Sequence, residues 1–238
     1  MTLGIMQPYF FPYIGYWQLI KAADEFILFD DVQYIRHGWI NRNRILKQNE
    51  GWTYITVPLK KHSREDLIKD IKVSEGLKWQ DVLLNPLNNY KKIAPFYMET
   101  VNLIENIIKK INNDGIVEVN RVIITELCDY LNINTKITIS SHYDFNYSNV
   151  KDAGDWALEI SKQRKAKAYI NPISGKELFD KEKFNADNIN ILFLKPKEIV
   201  YNQKRKDFEL WLSIIDVLMF NGKEETAQLL DYYDITEG

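Results

Sequence analysis

Residues 2–31 read TLGIMQPYFFPYIGYWQLIKAADEFILFDD, and this stretch decides the fold. Residues 2–6 are a short apolar run that predicts a buried strand, and the spacing of apolar residues over 13–22 predicts a helix. A second apolar run at 26–29 ends in two aspartates. This order predicts a β-α-β unit, whose two strands normally lie parallel in one sheet.

The rest of the chain predicts an α/β fold with a small, mostly parallel sheet, flanking helices and a helical middle segment at about 79–131. We expect one α/β domain over residues 1–238, and a separate helical domain is the alternative. Further strands are predicted at 53–59, 68–73, 136–140, 168–170 and 190–194, and further helices at 152–163, 208–219 and 223–233, with a break at Asn221-Gly222.

The composition argues against several classes of protein. A formal net charge of −2 gives no global field that would attract nucleic acid. No window approaches the roughly 18 consecutive apolar residues of a membrane span, and the basic start of a signal peptide is missing. We therefore expect a cytoplasmic protein. The single cysteine, Cys128, excludes an intrachain disulfide, and no cluster of His, Cys and Asp has the spacing of a zinc site, so no metal is predicted.

The loop after the first predicted strand is the first candidate site, because ligands of parallel sheets bind at the carboxyl ends of strands. Gln7, Tyr9 and Tyr13 are assigned to substrate binding. Gln7 stands at the carboxyl end of the strand, and tyrosine rings with polar tips suit sugars and nucleotides. The helix that follows offers free N–H groups to a phosphate. The alternative is that these aromatic residues only fill the core.

The second candidate site is Asp30-Asp31-Val32-Gln33-Tyr34, at the end of the next strand. Asp31 is assigned as a catalytic general base and Tyr34 as a substrate-binding residue. The sequence leaves open which of the two aspartates faces the site. The alternative role of an aspartate here is to cap a turn.

The third candidate site is residues 38–44, GWINRNR. Side chains alternate along an extended chain, so Asn41 and Asn43 share one face and Arg42 and Arg44 share the other. An arginine fork grips a phosphate or a carboxylate at two points. Trp39, Asn41, Arg42 and Arg44 are therefore assigned to substrate binding. A surface strand with ion pairs is the alternative.

Two histidines in polar loops, His37 and His62, are candidates for proton transfer. His62 is favoured because basic residues surround it, and it is the second catalytic candidate. Asn171 is assigned to substrate binding because it ends a predicted strand that can meet the first loop.

These segments together resemble the WbqC-like proteins, in order and over nearly the whole chain. The resemblance rests on residues 6–16, 30–34, 38–44, 56–58, 169–175, 201–203 and 212–222. It implies a role in bacterial surface-polysaccharide (O-antigen) biosynthesis, on nucleotide-linked sugars or on acyl groups attached to them. It supplies no catalytic residue, so the site residues come from the physical interpretation above.

The resulting hypothesis is a transferase that moves an acyl or aminoacyl group onto a nucleotide-linked amino or deoxy sugar. Its partners would be the nucleotide sugar and an acyl carrier protein or coenzyme A donor, and the sequence leaves the cofactor unknown. One alternative is a non-catalytic binding or scaffold partner of such a pathway. Another is a degenerate nucleotidyltransferase-like nucleotide-binding protein. The strand, loop and helix start around Gly15 resemble that fold, but Tyr16 stands where its chemistry uses a histidine.

Overall fold

The computed structural model describes residues 1–74 and 79–238. The chain opens with strand β1 (Thr2–Met6), helix α1 (Ile14–Lys21) and strand β2 (Glu25–Leu28). The two strands pair in parallel, from Leu3 with Glu25 to Met6 with Leu28. The predicted β-α-β unit is therefore confirmed.

The main sheet has six strands in the order β5-β2-β1-β6-β7-β8. Strands β5 (Lys136–Ile139), β6 (Ala168–Pro172) and β7 (Asn190–Pro196) continue the parallel pairing. The last strand, β8 (Tyr233–Glu237), pairs antiparallel with β7. The predicted α/β class and its mostly parallel sheet are thus confirmed.

Strands β3 (Arg42–Leu46) and β4 (Trp52–Thr56) form a separate antiparallel hairpin. The strand predicted at 53–59 corresponds to β4. Its pairing partner is the arginine-rich segment, and the two strands do not join the main sheet.

The helical middle segment is confirmed, with α2 (Trp79–Leu84), α3 (Tyr97–Lys109) and α4 (Ile116–Tyr130). Cys128 is buried on α4, and desolvation raises the pKa of its thiol to about 12. The thiol is therefore inert, as its apolar surroundings suggest. The remaining helices are α5 (Asp155–Gln163), α6 (Lys181–Ala186) and α7 (Ile214–Leu229).

Helices cover both faces of the main sheet. Leu3, Ile5 and Ile27 pack with residues of α5 and α6 in one apolar cluster. Phe26 and Leu28 point the other way, into a larger cluster with α1, α4, α7 and the hairpin. This alternation of buried residues on both faces is the pattern of a parallel sheet covered on both sides.

The prediction of a strand at 68–73 is wrong. The chain makes a short 3-10 turn at Ile68–Asp70 and then only isolated bridges, from Lys72 to Gly115 and from Val73 to Leu59. Ile68 and Ile71 are both buried at a spacing of three residues, which a turn satisfies and a strand does not.

The helix predicted at 208–219 begins later, at Ile214, because Ser213 caps it by accepting a hydrogen bond from the Ile215 N–H (3.2 Å). The break at Asn221-Gly222 is present as a non-helical glycine (φ 67°) inside α7. The predicted helix 223–233 ends by residue 229, and the sequence analysis missed β8.

Candidate functional site

The β3–β4 hairpin is fixed to the loop after β1 by the buried side chain of Asn43. Its amide nitrogen donates to the carbonyls of Phe10 and Phe11, at 3.0 Å each. Its oxygen accepts from the Arg44 N–H at 2.8 Å. Both N–H groups of the Asn43 amide are therefore used within the protein, and the side chain acts as a joint between the first and third candidate sites.

A second asparagine also connects the loop after β1 to the segment that leads into β3. Asn120, on α4, is fully buried and donates to the carbonyls of Pro8 and Ile40, at 2.8 Å each. The Phe10 N–H also donates to the Trp39 carbonyl at 2.9 Å. Two segments that are far apart in sequence are thus held side by side.

A cavity of about 330 Å³, here called the cationic pocket, opens between the hairpin and the segment after β2. No Asp or Glu is among the described residues that line it. Its lining consists of Tyr34, Arg36, His37, Asn41, Arg42, Thr56, Val57, Pro58, Leu59 and His62.

The two guanidinium groups of the cationic pocket bind only carbonyls and an aromatic ring. Arg42 donates through Nε to the Gly38 carbonyl (3.3 Å) and lies over the Tyr54 ring at 4.1 Å. Arg36 donates to the His62 carbonyl at 3.4 Å. Within residues 1–74 and 79–238, no carboxylate neutralises either charge. The pocket is therefore suited to an anion.

Tyr34 and Asn41 form an ordered wall of the cationic pocket. The Tyr34 hydroxyl donates to Asn41 Oδ1 (2.8 Å), and Asn41 Nδ2 donates to the Val57 carbonyl (2.9 Å). Burial raises the pKa of Tyr34, although Arg42 and Arg36 oppose that rise. Tyr34 is therefore a neutral hydroxyl at physiological pH.

His62 lies edge-on to Tyr34, with ring centroids 4.9 Å apart. Its Nδ1 is 2.9 Å from the Ser63 carbonyl oxygen, which can only accept, so Nδ1 carries the proton. In the neutral ring Nε2 then has a free lone pair, and none of the described residues donates to it. This arrangement fits a proton acceptor.

A second cavity of about 250 Å³, here called the aromatic pocket, lies beside Arg44. It is lined by Tyr9, Tyr13, Trp39, Asn43, Arg44 and Trp211. Arg44 lies 5.5 Å from the centre of the Trp39 ring and donates to the Trp211 carbonyl at 3.1 Å. Burial raises the pKa of Tyr9 and Tyr13, so both hydroxyls stay protonated.

Aromatic and cationic side chains connect the two pockets across the outer face of the hairpin. Tyr54, which supports Arg42, is 6.4 Å from Trp39 by ring centroids, and Trp39 lines the aromatic pocket. Trp52 is 5.0 Å from both the Arg44 guanidinium and the Tyr54 ring. The pockets are therefore two parts of one continuous surface.

The loop before α7 is anchored beneath this surface by the buried carboxyl of Asp216. The Asp216 carboxyl accepts hydrogen bonds from Tyr201 (2.5 Å) and Gln203 Nε2 (2.9 Å) of this loop, and from the Tyr90 hydroxyl (2.7 Å). Desolvation raises the pKa of Asp216 to about 6, although the three donors oppose the rise. Tyr90 also accepts from the Leu46 N–H, which links the loop to β3.

Asp31 is not among the residues that line the cationic pocket. Its Oδ1 pairs with Lys69 Nζ (3.0 Å), and its Oδ2 accepts from the Tyr147 hydroxyl (3.0 Å). Asp30 is buried and accepts from the hydroxyls of Ser140 and Ser141, at 2.7 Å each. Both aspartates therefore connect β2 to the segments after β5.

Gln7 and Asn171 also lie outside the linings of the two pockets. The Gln7 carbonyl accepts a hydrogen bond from the Tyr16 hydroxyl at 2.8 Å. Tyr16, the residue after Gly15, therefore has its hydroxyl bonded within the protein. Asn171 accepts from the Tyr169 hydroxyl (2.8 Å) and donates to the Pro172 carbonyl (3.1 Å). Of Gln7, Asp31 and Arg42, only Arg42 is therefore among the residues that line the two pockets.

The start of α1, predicted to receive a phosphate, is covered by the ring of Tyr13. A Cβ on Gly15 would lie 2.5 Å from that ring, so any larger residue there would require the ring to move. The cationic pocket lies instead on the hairpin side of the loop.

Sequence reasoning missed Arg36 and Trp211, which line these pockets, and Tyr54, which supports Arg42. Arg36 stands two positions after Tyr34, and Tyr54 alternates with Trp52 along β4, so both positions carried a periodic signal. Trp211 carried none, because the segment before α7 was expected to be helical.

Comparison with known proteins agrees with the resemblance seen in the sequence. The model of the WbqC-like protein family matches residues 7–228, which include both pockets. The chain belongs to the WbqC-like protein family. A relative in this comparison is the uncharacterized protein Rv1507c of Mycobacterium tuberculosis (strain ATCC 25618 / H37Rv), 28% identical over 232 residues and covering 97% of each chain. No solved structure matches.

Two further findings concern the described residues of this WbqC-like chain. No group of three or more His, Cys, Asp or Glu among the described residues is arranged to hold a metal ion. In the same part of the chain, no helix has the length and apolar character needed to cross a bilayer.

Proposed function

We propose that this WbqC-like protein is a cytoplasmic transferase that acylates or aminoacylates a nucleotide-linked amino or deoxy sugar for surface-polysaccharide (O-antigen) synthesis. The observation that carries the proposal is the cationic pocket, with two guanidinium groups that no described carboxylate neutralises. A sugar nucleotide has a diphosphate that such a pocket binds by charge-assisted hydrogen bonds.

The polar wall of the pocket supports recognition of the sugar. Tyr34 and Asn41 are held in place by their mutual hydrogen bond, so they meet a sugar hydroxyl with little further ordering. Thr56, on the neighbouring strand, adds a hydroxyl to the same lining.

His62 is the proposed proton acceptor, in preference to Asp31. The sugar amine attacks the carbonyl carbon of an acyl thioester, while His62 Nε2 takes the amine proton. A new C–N bond forms, the C–S bond breaks, and the proton passes from His62 to the departing thiolate. Asp31 has both oxygens engaged, so we assign it a supporting part through Lys69 and Tyr147.

A binding protein without catalysis is the second candidate. The observation that favours it is that Nδ1 of His62 meets the Ser63 carbonyl, and no carboxylate among the described residues is hydrogen-bonded to the ring. Such a protein would hold the nucleotide sugar for a partner enzyme or a carrier protein.

The test is a reconstituted assay. The protein is incubated with uridine- or thymidine-diphosphate amino sugars and acyl thioesters of coenzyme A or of an acyl carrier protein. Release of free thiol and the mass of the sugar product are followed. Thiol release that requires the amino sugar, and that stops in His62→Ala, is the expected result. Tight binding of the sugar nucleotide without turnover with any donor would favour the binding protein.

A further inference from the structure

Trp211 has an unusual backbone conformation for a large residue at the surface. Its φ is +61°, in the left-handed region that favours glycine, and its side chain is 58% exposed. A non-glycine residue in this region has a strained backbone, and residues with backbone strain are frequent at binding sites. Because the ring is largely exposed, its own burial does not offset that strain.

The neighbours of Trp211 hold it in this conformation. Its carbonyl accepts from Arg44 Nη2 (3.1 Å), and the next residue but one, Ser213, donates through its N–H to the Arg44 carbonyl (2.8 Å). Leu212, between them, is buried. The ring is thereby held edge-on to Tyr13, with centroids 5.7 Å apart, on the wall of the aromatic pocket.

The aromatic pocket suits a flat ligand. Trp39, Tyr9 and Tyr13 join Trp211 in its lining, while both polar ends of Asn43 are already bonded. Any nucleobase can stack on an aromatic side chain, because every base has a π-face.

The arginines of the two pockets stand close enough on β3 for one nucleotide to reach both. Arg42 and Arg44 stand two residues apart on β3, which separates their Cα atoms by about 7 Å. That is on the order of the separation between a nucleobase and its diphosphate, with the ribose between them.

We propose that Trp211 is a base-stacking residue, and that the aromatic pocket binds the nucleobase of a nucleoside diphosphate whose phosphates lie in the cationic pocket. The proposal rests on the proposed function for the diphosphate site. It adds a recognition element for the base, on a residue outside the predicted site.

Isothermal titration with inorganic pyrophosphate, UDP and ADP tests the proposal on the full chain. Wild-type protein should bind at least one of the two nucleotides about tenfold more tightly than pyrophosphate. Trp211→Gly should remove that advantage and leave pyrophosphate affinity unchanged. Trp211→Phe, which keeps a ring, should retain most of it.

Glycine tolerates the left-handed conformation, so Trp211→Gly should keep a melting temperature within a few degrees of wild type. Equal affinities for pyrophosphate and both nucleotides would overturn the stacking proposal while leaving the anion site in place. Binding of uridine without pyrophosphate, lost in Trp211→Gly, would support the stacking proposal and overturn the diphosphate site. If no probe binds, both proposals fail.

Discussion

Arg42 and Arg44 stand on the same face of β3 and line two different pockets. The same strand places Asn43 between them on the buried face, where it joins the hairpin to the first loop. One five-residue strand thus supplies a cation to each pocket and the joint that holds both pockets to the sheet.

Replacing Arg42 with alanine should weaken pyrophosphate binding by about 10- to 100-fold, because a charge-assisted hydrogen bond contributes roughly 1.5–3 kcal/mol. Arg42→Lys keeps the charge without the planar fork and should recover only part of the affinity. Arg44→Ala, the matched control on the same face, should change pyrophosphate affinity by about twofold or less. Isothermal titration measures all three, and an equal loss in the two alanine variants would contradict separate roles for the pockets.

Removing the imidazole of His62 should lower kcat on the order of 10²- to 10⁴-fold, the usual contribution of a general base. KM for the sugar nucleotide should change little, since the proposed role is in the transition state. Steady-state thiol release from the acyl donor measures both constants. Asp31→Asn serves as the control and should retain most of kcat. A larger loss of kcat in Asp31→Asn than in His62→Ala would reverse the assignment.

Asn43→Ala should destabilise the fold by about 1–3 kcal/mol, because the carbonyls of Phe10 and Phe11 both lose their side-chain donor in a buried place. The loss should appear as a lower midpoint in urea denaturation. Asn41→Ala removes a similar side chain that is only half-buried and should cost less. If Asn43→Ala unfolds at the wild-type urea concentration, the joint contributes nothing.

Asp216 should make the protein less stable as the pH rises from about 4 to 6. Burial raises the pKa of its carboxyl from 3.8 to about 6, so the folded chain keeps a proton that the unfolded chain has released. Stability is therefore highest below the unfolded pKa and declines as the pH passes through the folded one, by about 3 kcal/mol in total.

Asp216→Asn removes this titration, and the difference in unfolding free energy between the two proteins, measured with urea at several pH values, isolates it. The wild type should lose stability relative to Asp216→Asn across that window. Parallel pH curves for the two proteins would show that Asp216 does not titrate there.

The main sheet could be predicted from local pattern, because its strands are short apolar runs separated by turns and helices. The parallel pairing of β1 with β2 follows from a single β-α-β unit. Tyr34, Asn41, Arg42 and His62 were selected for their chemistry, and the structure brings those four to one pocket.

What the sequence could not predict depends on contacts between distant segments. Asp31 was assigned as a free base because its partners, Lys69 and Tyr147, are 38 and 116 residues away. The strained turn at Trp211 is imposed by Arg44, and its own neighbours favour a helix. In both cases a side chain from another part of the chain overrides the local preference.

The β3–β4 hairpin lies outside the strand pairing of the main sheet. Its inward residues Ile45, Leu46 and Ile55 pack into the larger apolar cluster, and the side-chain amides of Asn43 and Asn120 bind the loop after β1. The outward residues of the hairpin can therefore diverge while the scaffold beneath keeps its register. Members of the family that act on different ligands should differ most on this hairpin, and exchanging it between them is the direct way to transplant a preference.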